Sequence, residues 1–236
     1  MIFVTGDIHG SIDINKISKA HFPESKAMTK DDYLIICGDF GLVWDYCGEN
    51  KEEAYWLDWL ENHSFTTLFV DGNHECFPRL HALPQKEWNG GNVHVVREHV
   101  LHLMRGQVFN IDGKIFFTMG GASSHDRGPL VGNTEEVIGK YWWKEEIPSV
   151  EEMQEGLMNL QKHGGEVDYI ITHCLPSDLQ KRYSQGRYRR DLLTDYLMYI
   201  KMKVKYRHWY CGHYHTDLDL VDDVTVLYDE IRQIEA

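Results

Sequence analysis

Five short polar clusters in this 236-residue sequence combine residue types that bind metal ions. They are Gly6-Asp7-Ile8-His9-Gly10, Gly38-Asp39-Phe40-Gly41, Gly72-Asn73-His74-Glu75, Thr172-His173 and Gly212-His213-Tyr214-His215. Asp7-x-His9 and His213-x-His215 each place two side chains on one turn at i, i+2 spacing. Asp39 adds a carboxylate able to bridge two ions through its separate oxygens. Asn73 adds a neutral oxygen and His173 another imidazole. This nitrogen and oxygen set suits two divalent ions, manganese first, then iron, zinc, cobalt or nickel, better than calcium or magnesium. Glycine flanks nearly every cluster and lets the backbone turn sharply close to an ion.

The charge balance points to the substrate. Two divalent cations, two aspartates and one hydroxide leave a net charge of about +1, which attracts an anionic phosphate ester. Water on such a metal ionises near neutral pH and supplies a nucleophile without a protein base. Each cluster alone has an ordinary reading, since a lone Asp in a loop is usually a turn former. Seven ligand-type residues together in loops make accidental placement the weaker explanation.

The elements between the clusters say how they are brought together. Apolar runs at residues 2–5, 33–37, 66–70 and 169–172 read as buried strands, most of them ending at a polar cluster. Helical spacing covers 52–61, 150–163 and 191–203, and a further helix is expected over 134–145. Close-set strands are expected at 93–96, 100–104, 107–111 and 114–119, with Asp112-Gly113 as a hairpin turn. A strand at 207–211 and a hairpin at 218–221 and 225–228 complete the order. The β-α-β rhythm implies parallel strands with covering helices, arranged as two sheets face to face in one domain over residues 1–236. Ligands in such sheets bind beyond the carboxyl ends of the strands, so the clusters should converge.

Composition limits the function classes. No run of 18 apolar residues appears, so no membrane span is expected. Residues 1–5 read as a strand followed at once by a polar motif, which argues against a signal peptide and for a cytoplasmic location. Five cysteines without a CxxC pair do not form a disulfide framework and read as small buried residues. A net charge of −13 works against stable nucleic-acid binding. Residues 181–207 nonetheless carry nine Lys or Arg against two Asp, either to receive an anionic substrate or as a solvated helix face. Nothing in the sequence specifies the oligomeric state.

Together, from Asp7 to His215, these motifs resemble the calcineurin-like metallophosphoesterases, whose fold is an α/β/β/α sandwich. The resemblance implies that Asp7, His9, Asp39 and His215 hold one metal, and that Asp39, Asn73, His173 and His213 hold the other. It implies that His74 donates to the phosphate or protonates the leaving group, as a histidine near the reacting oxygen can. The Asp and Arg that follow the second motif in protein Ser/Thr phosphatases are missing after Asp39, which argues against a dedicated protein phosphatase. Asp45 is a candidate to orient His74 in place of that Asp. Residues 120–127, followed by 141–146, resemble small bacterial and phage-borne relatives. There Arg127 is either the phosphate-binding arginine or an exposed loop residue. Arg127 and Asn73 are thus the residues expected to meet substrate. The expected activity is hydrolysis of a phosphomonoester or phosphodiester by a hydroxide bridging two metals. A hydrolase of cyclic nucleotides, dinucleoside polyphosphates or single nucleotides is the alternative, and a catalytically silent scaffold the remaining one.

Overall fold

The computed structural model of the chain describes residues 1–124 and 142–235. Arg127, and residues 134–141 of the helix expected over 134–145, lie outside them. At the expected end of that helix, Lys144–Glu146 instead form a 3-10 turn. Trp143 before it is extended, and the buried Glu146 carboxylate accepts the N–H groups of Ser124 and Trp143.

Strands β1 (Ile2–Thr5), β2 (Tyr33–Cys37) and β3 (Thr66–Val70) run parallel at the centre of the first sheet. β4 (Gln85–Trp88), β5 (Gly91–Arg97) and β6 (Val100–Leu103) extend it on one side, with β6 parallel to β3. On the other side β13 (Ile231–Ile234) pairs antiparallel with β1. The order is β13-β1-β2-β3-β6-β5-β4. The second sheet contains β7 (Val108–Ile111), β8 (Lys114–Met119), β9 (Tyr169–Thr172), β10 (His208–Cys211), β11 (Leu218–Asp219) and β12 (Val224–Val226). Its order is β11-β12-β10-β9-β8-β7. Asp112 and Gly113 close the β7–β8 hairpin with φ of 51° and 77°, the left-handed pair that a two-residue loop demands.

The period-two alternation of strand side chains builds the layers. Ile2, Val4, Ile35 and Cys37 point inward and meet Phe116, Tyr169, Ile171 and Tyr210 of the second sheet. Phe3, Leu34 and Ile36, one residue out of phase, pack outward against Leu57 and Leu60 of α1 (Lys51–Glu61). Asn50 starts α1 through a capping box with Glu53. On the far side, Met153 and Leu160 of α3 (Val150–Lys162) join Leu193, Leu197 and Ile200 of α5 (Leu192–Lys203) over Phe117, Ile170 and Trp209. The result is the expected α/β/β/α arrangement of two mixed sheets.

Four elements were not expected from the sequence. β4 is a polar edge strand, and β13 (Ile-Arg-Gln-Ile) is too short to announce itself. The helices α2 (Phe77–His81) and α4 (Ser177–Tyr183) are under three turns long. Among the described residues, no helix is long and apolar enough to cross a membrane.

Candidate metal centre

All five polar clusters follow the carboxyl ends of parallel strands: β1, β2 and β3 in one sheet, β9 and β10 in the other. Where those ends meet, the clusters converge into three overlapping groups of side chains, each with its ligand atoms within 4.8 Å of one another. The groups are Asp7/His9/His215, His9/Asp39/His74 and Asp39/His173/His213. Close packing demands glycine at particular points. A Cβ on Gly72 would lie 2.0 Å from Asp39 Oδ1, and one on Gly212 would lie 2.1 Å from Asp7 Oδ1. The turns themselves are strained: His9, Asp39, His213 and His215 have φ of 43°, 45°, 72° and 47°. Such conformations cost side-chain-bearing residues about 1 kcal/mol or more each and persist where surroundings impose them.

Asp39 is buried at the middle of the assembly. Its Oδ1 accepts the backbone N–H groups of Asn73 at 2.8 Å and His74 at 2.9 Å. The same oxygen lies 3.3 Å from His173 Nε2, while Oδ2 lies 3.3 Å from His9 Nε2. One carboxylate therefore faces a different imidazole with each oxygen. Asp7, also buried, accepts His213 N–H through Oδ1 at 2.9 Å and approaches His215 Nε2 through Oδ2 at 3.3 Å.

The outer nitrogens of two histidines are fixed from behind. His9 Nδ1 is 2.8 Å from Asp13 Oδ2, and His173 Nδ1 is 2.8 Å from the carbonyl of Cys37. With Nδ1 held in this way each Nε2 faces the centre, the arrangement that metal-ligating histidines use. Lys16 Nζ donates to the backbone carbonyls of Asp7 and Tyr228, and the Tyr228 ring stacks on His215 at 4.7 Å.

The electrostatics demand positive charge. Burial works against protonation of His9, yet the Asp39, Asp7 and Asp13 carboxylates outweigh it and raise its pKa to about 9. Burial likewise opposes protonation of His173, and Asp39 and Asp7 lift it to about 10. Asp39 resists the upward pull of its own burial because His173 and His9 hold it well below the usual carboxylate range. Asn73 Oδ1 and His173 Nε2, both facing the centre, are among the buried atoms without a hydrogen-bond partner. Both are good metal donors. Buried carboxylates that hold protons on the facing imidazoles fit divalent cations well, since a cation can replace those protons and take the amide oxygen of Asn73 as well.

Of the residues singled out in the sequence, Asp7, His9, Asp39, Asn73, His74, His173, His213 and His215 are brought together, and Arg127 lies outside the described residues. Asp45 does not orient His74, because its carboxylate accepts Cys47 N–H and Asn50 Nδ2 at the start of α1. Cys37, Cys174 and Cys211 near the ligands are buried, and burial pushes their thiols up, consistent with packing rather than ligation. The basic 181–207 segment is partly neutralised, with Lys201 paired to Asp178 and Asp222, and Arg207 to Asp168. Asp13, Glu75 and Trp44 carry no assignment from the sequence, whereas Tyr188, a candidate for base stacking beside the basic segment, lines the space over the ligands. Only Asp13 had a usable signal, four residues after His9. Glu75 is buried and ties the β3 turn to the β2 turn by accepting Phe40 N–H at 2.8 Å and Gly41 N–H at 3.1 Å.

A family model for calcineurin-like phosphoesterases matches residues 1–217. The chain belongs to that family. The phosphoesterase is also similar to lariat debranching enzyme A of Xenopus laevis, 33% identical over 106 residues. That match takes in 39% of this chain and 19% of the relative, so the phosphoesterase spans a small part of that protein's length. The family is one of phosphoester hydrolases that bind divalent metals, and the clustered His and Asp residues are where such ions fit.

Proposed function

We propose that the chain hydrolyses a phosphate mono- or diester at a centre holding two divalent metals. The observation that carries this reading is Asp39, with one oxygen turned to His9 and the other to His173. Asp7, His9, Asp39 and His215 would hold one ion, and Asp39, Asn73, His173 and His213 the other. When bound, the ions polarise the phosphate and make water a nucleophile at neutral pH. The protein's own part is alignment. Asp13 and the Cys37 carbonyl hold two imidazoles in one tautomer, and the Asn73 and His74 N–H groups fix the shared carboxylate. His74 lines the cavities on both sides of the centre, where it can donate a proton or hydrogen bond to the ester oxygen that departs. Manganese is the first ion to test, because the donor set mixes imidazole with carboxylate and amide oxygen.

The test is turnover of p-nitrophenyl phosphate and bis-p-nitrophenyl phosphate by metal-stripped protein, before and after adding manganese. Manganese-dependent hydrolysis is expected, and His74→Ala should lower kcat by about 100-fold or more while two ions still bind. Failure of stripped protein to take up manganese, or full activity without it, would overturn the reading.

A further inference from the structure

We propose that a cavity beside the metal centre, walled by Trp44, binds the leaving group of the substrate and selects an uncharged planar ring system there. The inference rests on the phosphoesterase reading and specifies its substrate class: phosphate esters of aryl alcohols or of nucleosides presenting a base.

The cavity has a volume of about 370 Å³ and opens directly on the centre, with His9 and His74 in its wall. It is separate from the space of about 310 Å³ over the ligands, which is lined by Asp39, Asn73, His213, His215 and Tyr188. His74 is common to both. A phosphate over the ligands therefore projects one ester oxygen past His74 into the Trp44 cavity. Sites for small ligands begin at about 300 Å³. This one suits a single ring system rather than a peptide or a long chain.

Its wall is apolar and aromatic. The half-buried Trp44 indole lies 5.6 Å from the His74 ring, tilted by 45°, with Leu42 and Ile12 beside it. Ile12 is 77% exposed at the rim, an apolar side chain with no packing role of its own. Among the described residues the cavity lining includes no Lys or Arg, Glu53 is neutralised by Arg79, and the exposed Glu52 contributes negative charge. A second phosphate or an acidic peptide would be repelled there, whereas a flat neutral ring can stack on indole.

The wall is held in place before any ligand arrives. Glu53 is buried and accepts the N–H groups of Trp44 and Asp45, each at 2.7 Å. Arg79 pairs with Glu53 at 2.9 Å and donates to the Asp45 carbonyl at 2.6 Å. Cys76 N–H donates to the Val43 carbonyl at 2.7 Å, tying this loop to the chain just after His74. An ion pair on a buried carboxylate, with Leu42 and Val43 buried beside it, gives Trp44 a fixed place relative to His74, as selective binding requires.

Two measurements test the proposal. In the first, manganese-loaded protein is assayed for phosphate release from 2-naphthyl phosphate and from glycerol 2-phosphate. Trp44→Ala should raise KM for the naphthyl ester at least tenfold more than for the glycerol ester, and Trp44→Phe should restore most of the difference. Equal changes for the two esters would overturn the assignment. In the second, equilibrium binding of 2-naphthol is followed by calorimetry, with no turnover required. Wild type and Trp44→Phe should bind it and Trp44→Ala should not, whereas equal binding by all three refutes the subsite. If neither ester is hydrolysed by the wild type, the phosphoesterase reading fails, and the binding measurement still decides the cavity.

Discussion

Asp71 and Asn73 lie two residues apart at the end of β3, and each belongs to a cluster of histidine and carboxylate side chains. The clusters resolve their charge in opposite ways. Asp71 is buried against Arg105, which donates to it through Nε at 2.9 Å and Nη2 at 2.6 Å. His102 Nε2 lies 3.1 Å from the same carboxylate, His94 Nδ1 and His102 Nδ1 share a hydrogen bond at 2.9 Å, and Gln85 Nε2 reaches His94 Nε2 at 3.2 Å. Every acceptor in that chain is met by a protein donor. Burial and the neighbouring His102 and His81 press His94 down to about 3, so it stays neutral. In the metal centre no Lys or Arg pairs with Asp7 or Asp39 among the described residues, and His9 and His173 are driven upward instead. The first cluster is complete within the protein, and the second leaves Asn73 Oδ1 and His173 Nε2 open, as the proposed cations require. Residue types do not separate the two, but the presence of an internal counter-charge does.

The largest effect that would sharpen this contrast is expected from Asp39→Asn. Removing the shared negative charge should abolish uptake of at least one ion and lower kcat about a thousandfold or more, with little loss of folded protein, read by metal analysis and turnover. Arg105→Ala should do the reverse. It leaves Asp71 buried and unpaired, which costs about 3–5 kcal/mol in unfolding experiments, while the molecules that remain folded still take up metal. If Arg105→Ala proteins fold normally and lose metal, the two clusters are one system and the contrast is broken.

Asp13→Asn is expected to weaken metal binding by about 10- to 100-fold, because His9 loses the carboxylate that fixes its tautomer. The smallest effects are those of pH on the melting temperature of metal-free protein. His9 and His173 hold protons more tightly folded than unfolded. Their stabilisation is full below about 6.5 and is lost as pH rises through about 9 and 10. His94 binds a proton more weakly when folded, so its contribution is present above 6.5 and lost as pH falls toward about 3. Manganese should remove the alkaline decline and leave the acid one. Equal response of both limbs to metal would contradict the separation.

Much of the centre was legible because its residues sit where strands stop. The runs before Gly6 and Gly38 are apolar throughout, and glycine followed by a ligand-type residue marks the turn. The Asp71 network was not legible. His94 and His102 face each other only through the β5–β6 register, and Arg105 reaches Asp71 across the step between the two sheets. Trp44 reaches its cavity from a loop whose course no periodicity encodes. β13 escaped notice because four residues of mixed polarity become a strand only when β1 offers an unpaired edge.

The proposed ligand residues run from Asp7 at one extreme to His215 at the other. A ribosome adding about 5–20 residues per second separates the emergence of those two by roughly 10–40 s. During that interval the early turns, with Asp7, His9, Asp39 and Asn73, hold only part of either ligand set. On the proposed assignment neither ion would be enclosed until the loop after β10 has left the exit tunnel and reached the sheet. A nascent chain stalled before residue 213 would, on that assignment, lack part of both ligand sets however well its first sheet has formed.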